Sequence, residues 1–163
     1  LKDTCNINEC LEETIALFVA DSSWDEARVE REYAEGLPPI ACDRLQLRQV
    51  FINILMNSYE AMDGRGIIQV ATRFQEFQGK PYVTAAFSDT GGGMNPAILE
   101  NIFNPFFTTK EKGTGLGLAI SNKIILSHMG HIEVHNMPGM GVTFCLFFPA
   151  KISVTAEGTY GNH

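Results

Sequence analysis

Ile68-Gln-Val-Ala-Thr-Arg-Phe-Gln-Glu-Phe-Gln-Gly-Lys-Pro-Tyr-Val-Thr-Ala-Ala-Phe-Ser-Asp89 sets the architecture of this chain. Ile68, Val70, Thr72 and Phe74 recur with the period of two that lines one face of a strand, and Tyr82 to Asp89 reads as a second strand. Gln78-Gly79-Lys80 between them supplies the turn of an antiparallel hairpin. A second hairpin follows near the C-terminus, where Ile132 to His135 and Val142 to Phe148 flank the turn Pro138-Gly-Met-Gly141. His131 and His135 border the first of these strands and read as surface-facing side chains.

Helical patterns are segregated from these hairpins. Residues 8 to 20 form a short amphipathic helix, with Asn8 as cap and Leu11, Ile15, Phe18 and Val19 as its buried stripe. Val29, Arg31 and Tyr33 alternate in an edge-like strand, Gly36-Leu-Pro-Pro39 breaks it, and Ile40 to Cys42 resumes it. Asp43 caps a long helix that runs to about Met62 and closes at Asp63-Gly64. A short helix from Pro96 to about Ile102, an irregular segment from Phe103 to Gly113 and a helix from about Thr114 to Ser127 complete the set. About three helices packed on one face of a sheet of five or more strands make a two-layer α/β sandwich. The domain should occupy residues 1–150, with 151–163 a polar tail without period.

The 163 residues suffice for one compact core. With 45% hydrophobic and 19% charged residues, 11 Phe and one Trp, the composition excludes a disordered chain and a coiled coil. No apolar run reaches the length of a membrane span and no signal-like segment begins the chain, so a cytoplasmic domain without membrane contact is expected. Lys and Arg total 12 against 19 Asp and Glu, a net charge of −7 that argues against nucleic acid as partner. Cys5, Cys10, Cys42 and Cys145 form no CxxC pair, so neither a disulfide framework nor a zinc site is expected.

Three features carry chemistry. Val50, Phe51, Ile52, Ile54, Leu55 and Met56 wrap the long helix in apolar side chains, which predicts burial, yet Asn53 and Asn57 stack four residues apart on one line with Gln46, Gln49 and Glu60 near it. An unpartnered buried carboxamide costs about 1–3 kcal/mol, so these side chains bond neighbouring loops or a ligand. An amide oxygen beside phosphates suits magnesium, which takes only one or two protein ligands. Asp89-Thr-Gly-Gly-Gly-Met94 closes an apolar strand; it is either a tight turn or a carboxylate acceptor for an exocyclic amine, with glycine backbone close to a ligand. Gly113-Thr-Gly-Leu-Gly-Leu118 opens a helix and offers bare backbone N–H groups to phosphate, while Lys110 and Lys112 read equally as phosphate contacts or solvated lysines. A dinucleotide fingerprint would need a strand directly before those glycines, and a Phe/Thr/Lys loop stands there instead. That loop is long enough to act as a lid.

The ordered set Asn53…Asn57, Asp89-x-Gly91-x-Gly93, Phe103-x-Pro105-Phe106-Phe107, Gly113-x-Gly115-x-Gly117 and Gly139-x-Gly141-x-Thr143-Phe144 resembles the ATP-binding catalytic domain of sensor histidine kinases, over about residues 5 to 149. The string Asn104-Pro-Phe-Phe-Thr-Thr-Lys110 followed by Gly113-Thr-Gly-Leu-Gly-Leu118 looks like the nitrogen-regulation type. The resemblance implies a Bergerat-type fold with a mixed five-stranded sheet and ATP and magnesium as cofactors. It also implies the following roles. Asn57 would hold magnesium, Asn53 would sit beside the phosphates, and Asp89 would read the adenine amino group. Gly91 and Gly93 would let base and ribose approach. Gly113, Thr114, Gly115, Leu116, Gly117 and Leu118 would line the phosphates, with Lys110 neutralising their charge and Thr143 near the adenine. Phe103, Phe106 and Phe107 would anchor the lid.

In related gyrase, chaperone and mismatch-repair ATPases a glutamate four residues before the magnesium asparagine activates water; here that position is Asn53, which cannot act as a base. The resemblance therefore implies slow hydrolysis and transfer of the γ-phosphate to a histidine on a dimerisation helix pair, and through it to a response regulator. No phosphoacceptor segment of the His-Glu-x-x-Asn-Pro kind occurs, so the chain reads as a catalytic fragment, monomeric when isolated, of a dimeric kinase. Transfer to a serine or threonine of a partner, or a non-catalytic nucleotide-binding module, are the alternatives. The acidity is no obstacle, because phosphates would be met locally, within a Debye length of about 10 Å.

Overall fold

The computed structural model describes residues 3–22, 24–25, 28–62, 65–91, 117–137, 139–154 and 160–162. Its centre is the hairpin of β4 (Ile68–Phe77) and β5 (Lys80–Asp89), whose register runs from Ile68 opposite Asp89 to Phe77 opposite Lys80. The connection is a two-residue turn in which Gln78 and Gly79 both have positive φ, 51° and 78°, the twist that suits a tight hairpin. Both strands extend beyond the residues that alternate most clearly in sequence.

β7 (Gly141–Pro149) pairs antiparallel with β5, and β6 (His131–Met137) pairs antiparallel with β7. β2 (Val29–Glu32) joins the other side in parallel with β4, which makes it an edge strand, as expected, in a mixed five-stranded sheet of order β2-β4-β5-β7-β6. The parallel pairing requires a crossover, and the segment between β2 and β4 supplies one. It contains β3 (Ile40–Cys42) and α2 (Arg44–Ala61). With α1 (Ile7–Ser22) and α3 (Gly117–Ser127) there are three helices among the described residues, and α2 packs against both others. The expected short helix at 96–102, the irregular segment at 103–113 and the expected start of the last helix at Thr114 lie outside the described residues.

Alternation in the strands determines what the helices meet. Phe87, Phe144 and Phe148 are buried, and Phe51 of α2 approaches Phe87 and Phe148 with ring centroids 5.7 and 6.5 Å apart. Leu11, Ile15 and Phe18 of α1 are fully buried beside them, as the sequence period predicts. On the opposite face of the sheet Phe77, Tyr82, His131 and Phe147 cluster, with the His131 and Phe147 rings stacked at 4.2 Å. His135 is 65% exposed in its side chain and lies 3.4 Å from Glu133, so the surface reading holds for it, whereas His131 spends one ring face on Phe147.

Helix ends show where local chemistry overrode or confirmed the sequence reading. Asp43 caps α2, its Oδ1 accepting from Leu45 N and Gln46 N. The cap of α1 is Asn6 rather than Asn8: Asn6 Oδ1 accepts from Asn8 N at 2.9 Å. Asn8 instead reaches across the fold, donating to Ala34 O and accepting from Thr72 Oγ1. Both asparagines suit a cap, and only tertiary packing distinguishes them. Two further segments carry pairing that the sequence pattern did not show. Asp3–Cys5 forms β1, antiparallel to β3, and a disulfide joins Cys5 to Cys42 although the spacing gave no pairing. In the C-terminal segment, Ile152–Val154 (β8) and Tyr160–Asn162 (β9) pair where no period was visible.

His128, just after α3, ties the helical layer together. Its Nδ1–H donates to Ile124 O at 2.8 Å and its Nε2 accepts from Asp43 N at 3.0 Å, a pattern that assigns the neutral Nδ1–H tautomer. The side chain is 4% exposed, so replacement by phenylalanine strands a donor at the start of α2. His128→Phe should cost about 1–3 kcal/mol in urea unfolding. An unchanged midpoint would show that the contact contributes nothing.

Candidate functional site

Asn53 and Asn57 lie on α2 among Ile52, Ile54, Leu55 and Met56, and both are only partly buried. Asn53 Nδ2 donates to Ser121 Oγ at 3.4 Å, which brings the first turn of α3 against the asparagine line. Among the described residues none is hydrogen-bonded to the Asn57 carboxamide, so its oxygen is an open acceptor on that line. Ala61 is the next residue on it. Asn53, Asn57 and Ala61 therefore form a ridge about 12 Å long, at 1.5 Å per residue.

Asp89 ends β5 and is 8% exposed. Its Oδ1 accepts from Gly91 N at 3.0 Å and Val142 N at 3.3 Å, so backbone from the following loop and from β7 fixes the carboxylate. Gly91 sits against the helix end: a β-carbon there would lie 3.2 Å from Asp89 Oδ1 and 3.3 Å from Ala61 O. The far end of the ridge thus meets the Asp89 loop. Thr90 supports it, its Oγ1 accepting from Ile67 N and donating to Met62 Sδ.

Asn53 and Asn57 share the α2 ridge, Asp89 and Gly91 meet its Ala61 end, and Gly117 and Leu118 begin the helix whose Ser121 meets Asn53. Gly93, Lys110, Gly113, Thr114, Gly115 and Leu116 lie outside the described residues, as do Phe103, Phe106 and Phe107. Thr143 does not join the group. Its Oγ1 is 2.9 Å from Ser88 Oγ on the sheet face away from the helices, because alternation places Val142 and Phe144 on the helix side and the residue between them on the other. Val142, which sequence reasoning missed, is the residue of that strand that faces Asp89. Parity counted along Gly141-Val-Thr-Phe144 from the buried phenylalanine would have found it. Ser121, also missed, lies four residues after Gly117, one helical turn into α3.

Gly141 explains why the second hairpin closes as it does. Its φ is +136°, and a β-carbon there would collide with the carbonyl oxygen of Asp89. Only glycine lets β7 approach the end of β5 closely enough for the Val142 amide to reach the carboxylate.

Comparison with known proteins places this geometry. The model of the "Histidine kinase-, DNA gyrase B-, and HSP90-like ATPase" family matches residues 42–152. The signal transduction histidine-protein kinase AtoS of Escherichia coli (strain K12) is 40% identical over 147 residues, covering 88% of this chain and 23% of its own length. Sporulation kinase E of Bacillus subtilis (strain 168) is 36% identical over 146 residues, 90% of this chain and 19% of its own. The chain therefore spans less than a quarter of these relatives. Among solved structures, the catalytic domain of histidine kinase ThkA superposes with a TM-score of 0.75 at 31% identity, covering 92% of this chain and 96% of that one. Full-length ShkA in complex with AMPPNP superposes at 0.74 and 26% identity, over 91% of this chain and 31% of that one.

Gly141→Ala should lower the melting temperature by several degrees, since it combines a strained φ with a backbone clash. Gly139→Ala tests the same hairpin where φ is +80° but nothing lies within 4 Å of the added carbon, so the smaller loss is expected there. Equal losses would remove the special role of the Asp89 contact. A family match across most of its length, and structural similarity to nearly the whole of a solved histidine kinase catalytic domain, show that this chain belongs to the histidine kinase, DNA gyrase B and HSP90-like ATPase family, as a catalytic domain of the histidine kinase kind.

Proposed function

We propose that this domain binds ATP with magnesium along the Asn53–Ala61 ridge and hands the γ-phosphate to a histidine on a helical domain outside this chain. The observation that carries this reading is the immobilised carboxylate of Asp89. Two backbone amides hold Oδ1, so Oδ2 is the oxygen available to accept from an exocyclic amine such as that of adenine. Base at the Asp89 end and phosphates at the α3 end fit the spacing of the ridge, and the start of α3 offers N–H groups and a favourable dipole to phosphate.

Asn57 supplies an amide oxygen suited to magnesium, an ion that prefers a few oxygen ligands and keeps its water. Magnesium, when bound, neutralises charge on the phosphates. Gly113, Gly115 and Gly117, with Thr114, Leu116 and Leu118, would give backbone to those phosphates, and Lys110 would add a positive charge. Gly91 and Gly93 would border the base. Asn53, already engaged with Ser121, positions and does not abstract a proton, which supports transfer to an acceptor over rapid hydrolysis. The AMPPNP complex of a structurally similar protein supports the nucleotide class. The relative named a signal transduction histidine-protein kinase supports a histidine acceptor and a signalling role; the downstream response regulator is part of the proposal.

Calorimetric titration of the chain with ATP and magnesium should give one site, and Asp89→Asn should weaken it at least about tenfold, the loss of one charge-assisted hydrogen bond. Equal affinity for ATP and GTP, or no effect of Asp89→Asn, would overturn the adenine assignment. Labelled ATP should leave the chain itself unlabelled and transfer phosphate only when a cognate helical domain is added, in an acid-labile form. An acid-stable product would point to serine or threonine, and steady labelling of the chain alone would refute the assignment of the acceptor to a separate domain.

A further inference from the structure

Three cysteines from three separate elements meet on the side of the helical layer near the N-terminus: Cys5 at the end of β1, Cys10 in the first turns of α1 and Cys42 at the end of β3. Their sulfur atoms all lie within 4.8 Å of one another, and the residues are 4%, 4% and 0% exposed. Cys5 and Cys42 are joined as a disulfide and Cys10 is a free thiol beside it. The nucleotide-binding reading uses none of them. We infer that, once the Cys5–Cys42 bond is reduced, Cys5, Cys10 and Cys42 form a three-sulfur site for one soft d10 cation of the copper(I) class.

Geometry supports the site first. Metal–sulfur bonds of about 2.3 Å in a trigonal arrangement place three sulfurs about 4 Å apart. The three sulfurs already lie within 4.8 Å of one another, and on reduction the bonded sulfurs of Cys5 and Cys42 part to reach that spacing. Donor chemistry narrows the ion. Among the described residues the group holds three thiols and no histidine or carboxylate, a set that selects soft ions and leaves zinc short of the fourth ligand it prefers. Charge is met as well: Arg44, which pairs with Glu13 at 3.5 Å, acts electrostatically on Cys10, so a cation stands near sulfurs that become thiolates on binding. The fourth cysteine is an internal control. Cys145 is a free cysteine outside this cluster.

Reduction balances as disulfide plus phosphine plus water giving two thiols and the phosphine oxide. Each sulfur then bound as thiolate releases one proton to solvent. The test is anaerobic titration of the phosphine-reduced chain with copper(I) against a chelator, with X-ray absorption on the product. One equivalent should bind against the chelator, with three sulfurs at about 2.3 Å. Cys10→Ser should weaken it at least about tenfold and leave two sulfurs, Cys145→Ser should change nothing, and the unreduced chain should not bind. A two-sulfur spectrum in the wild type, or undiminished binding by Cys10→Ser or by the unreduced chain, would overturn the site. Absence of chelator-resistant copper would assign the three cysteines to core packing alone. Should Cys10→Ser fail to fold, the sulfur count of the wild type decides by itself.

Discussion

One oxygen of one carboxylate holds the two hairpins in register at the end where the candidate site lies. Asp89 Oδ1 accepts from the amide that follows it by two residues and from the amide of Val142, a strand away. Buried charge of this kind is costly unless its hydrogen bonds are supplied, and here backbone supplies them. The arrangement exacts its own conditions: Gly91 packs closely under the end of α2, and Gly141 must be bare to pass the Asp89 carbonyl. The polar end of the sheet, the termination of α2 and the entry into β7 are therefore one construction, and the asparagine ridge is positioned by it.

Much of this was legible in the sequence because period and punctuation agreed. The β4–β5 hairpin, the Asp43 cap and the buried stripe of α1 all rest on local patterns that the tertiary structure leaves undisturbed. The family resemblance rested on the order of the motifs, and the fold and relatives bear it out. What local patterns did not carry was anything requiring a partner distant in sequence. Asn6 and Asn8 are equivalent as caps until Ala34 and Thr72 claim the second. β1 is three residues long and exists through β3. Thr143 was the natural hydroxyl to notice, but strand parity turns it to the far face, and the backbone of Val142 does what no motif advertises. The Cys5–Cys42 pair spans 37 residues, and spacing carries no information about closure across such a loop.

The two faces of the sheet have separate roles. One is covered by three helices and carries the aromatic core and Asp89; the other bears Ser88, Thr143 and the ring cluster around Phe147. A net charge of −7 says little about either. The charge that matters locally is a carboxylate pinned by two backbone amides, acting over a few ångströms.

Lys151 Nζ donates to Thr4 Oγ1 at 3.0 Å, Lys151 N donates to Pro39 O, and Ala150 bridges Ile40. Residues near both ends of the sheet-forming chain are thereby fastened to β3, the short strand that leads directly into Asp43 and α2. Incoming and outgoing polypeptide share one corner of the molecule. The β1 strand and the end of β7 therefore lean on the same short stretch of chain. This also means that a twist applied from either flank arrives at the same short strand, at the root of the helix that bears Asn53 and Asn57.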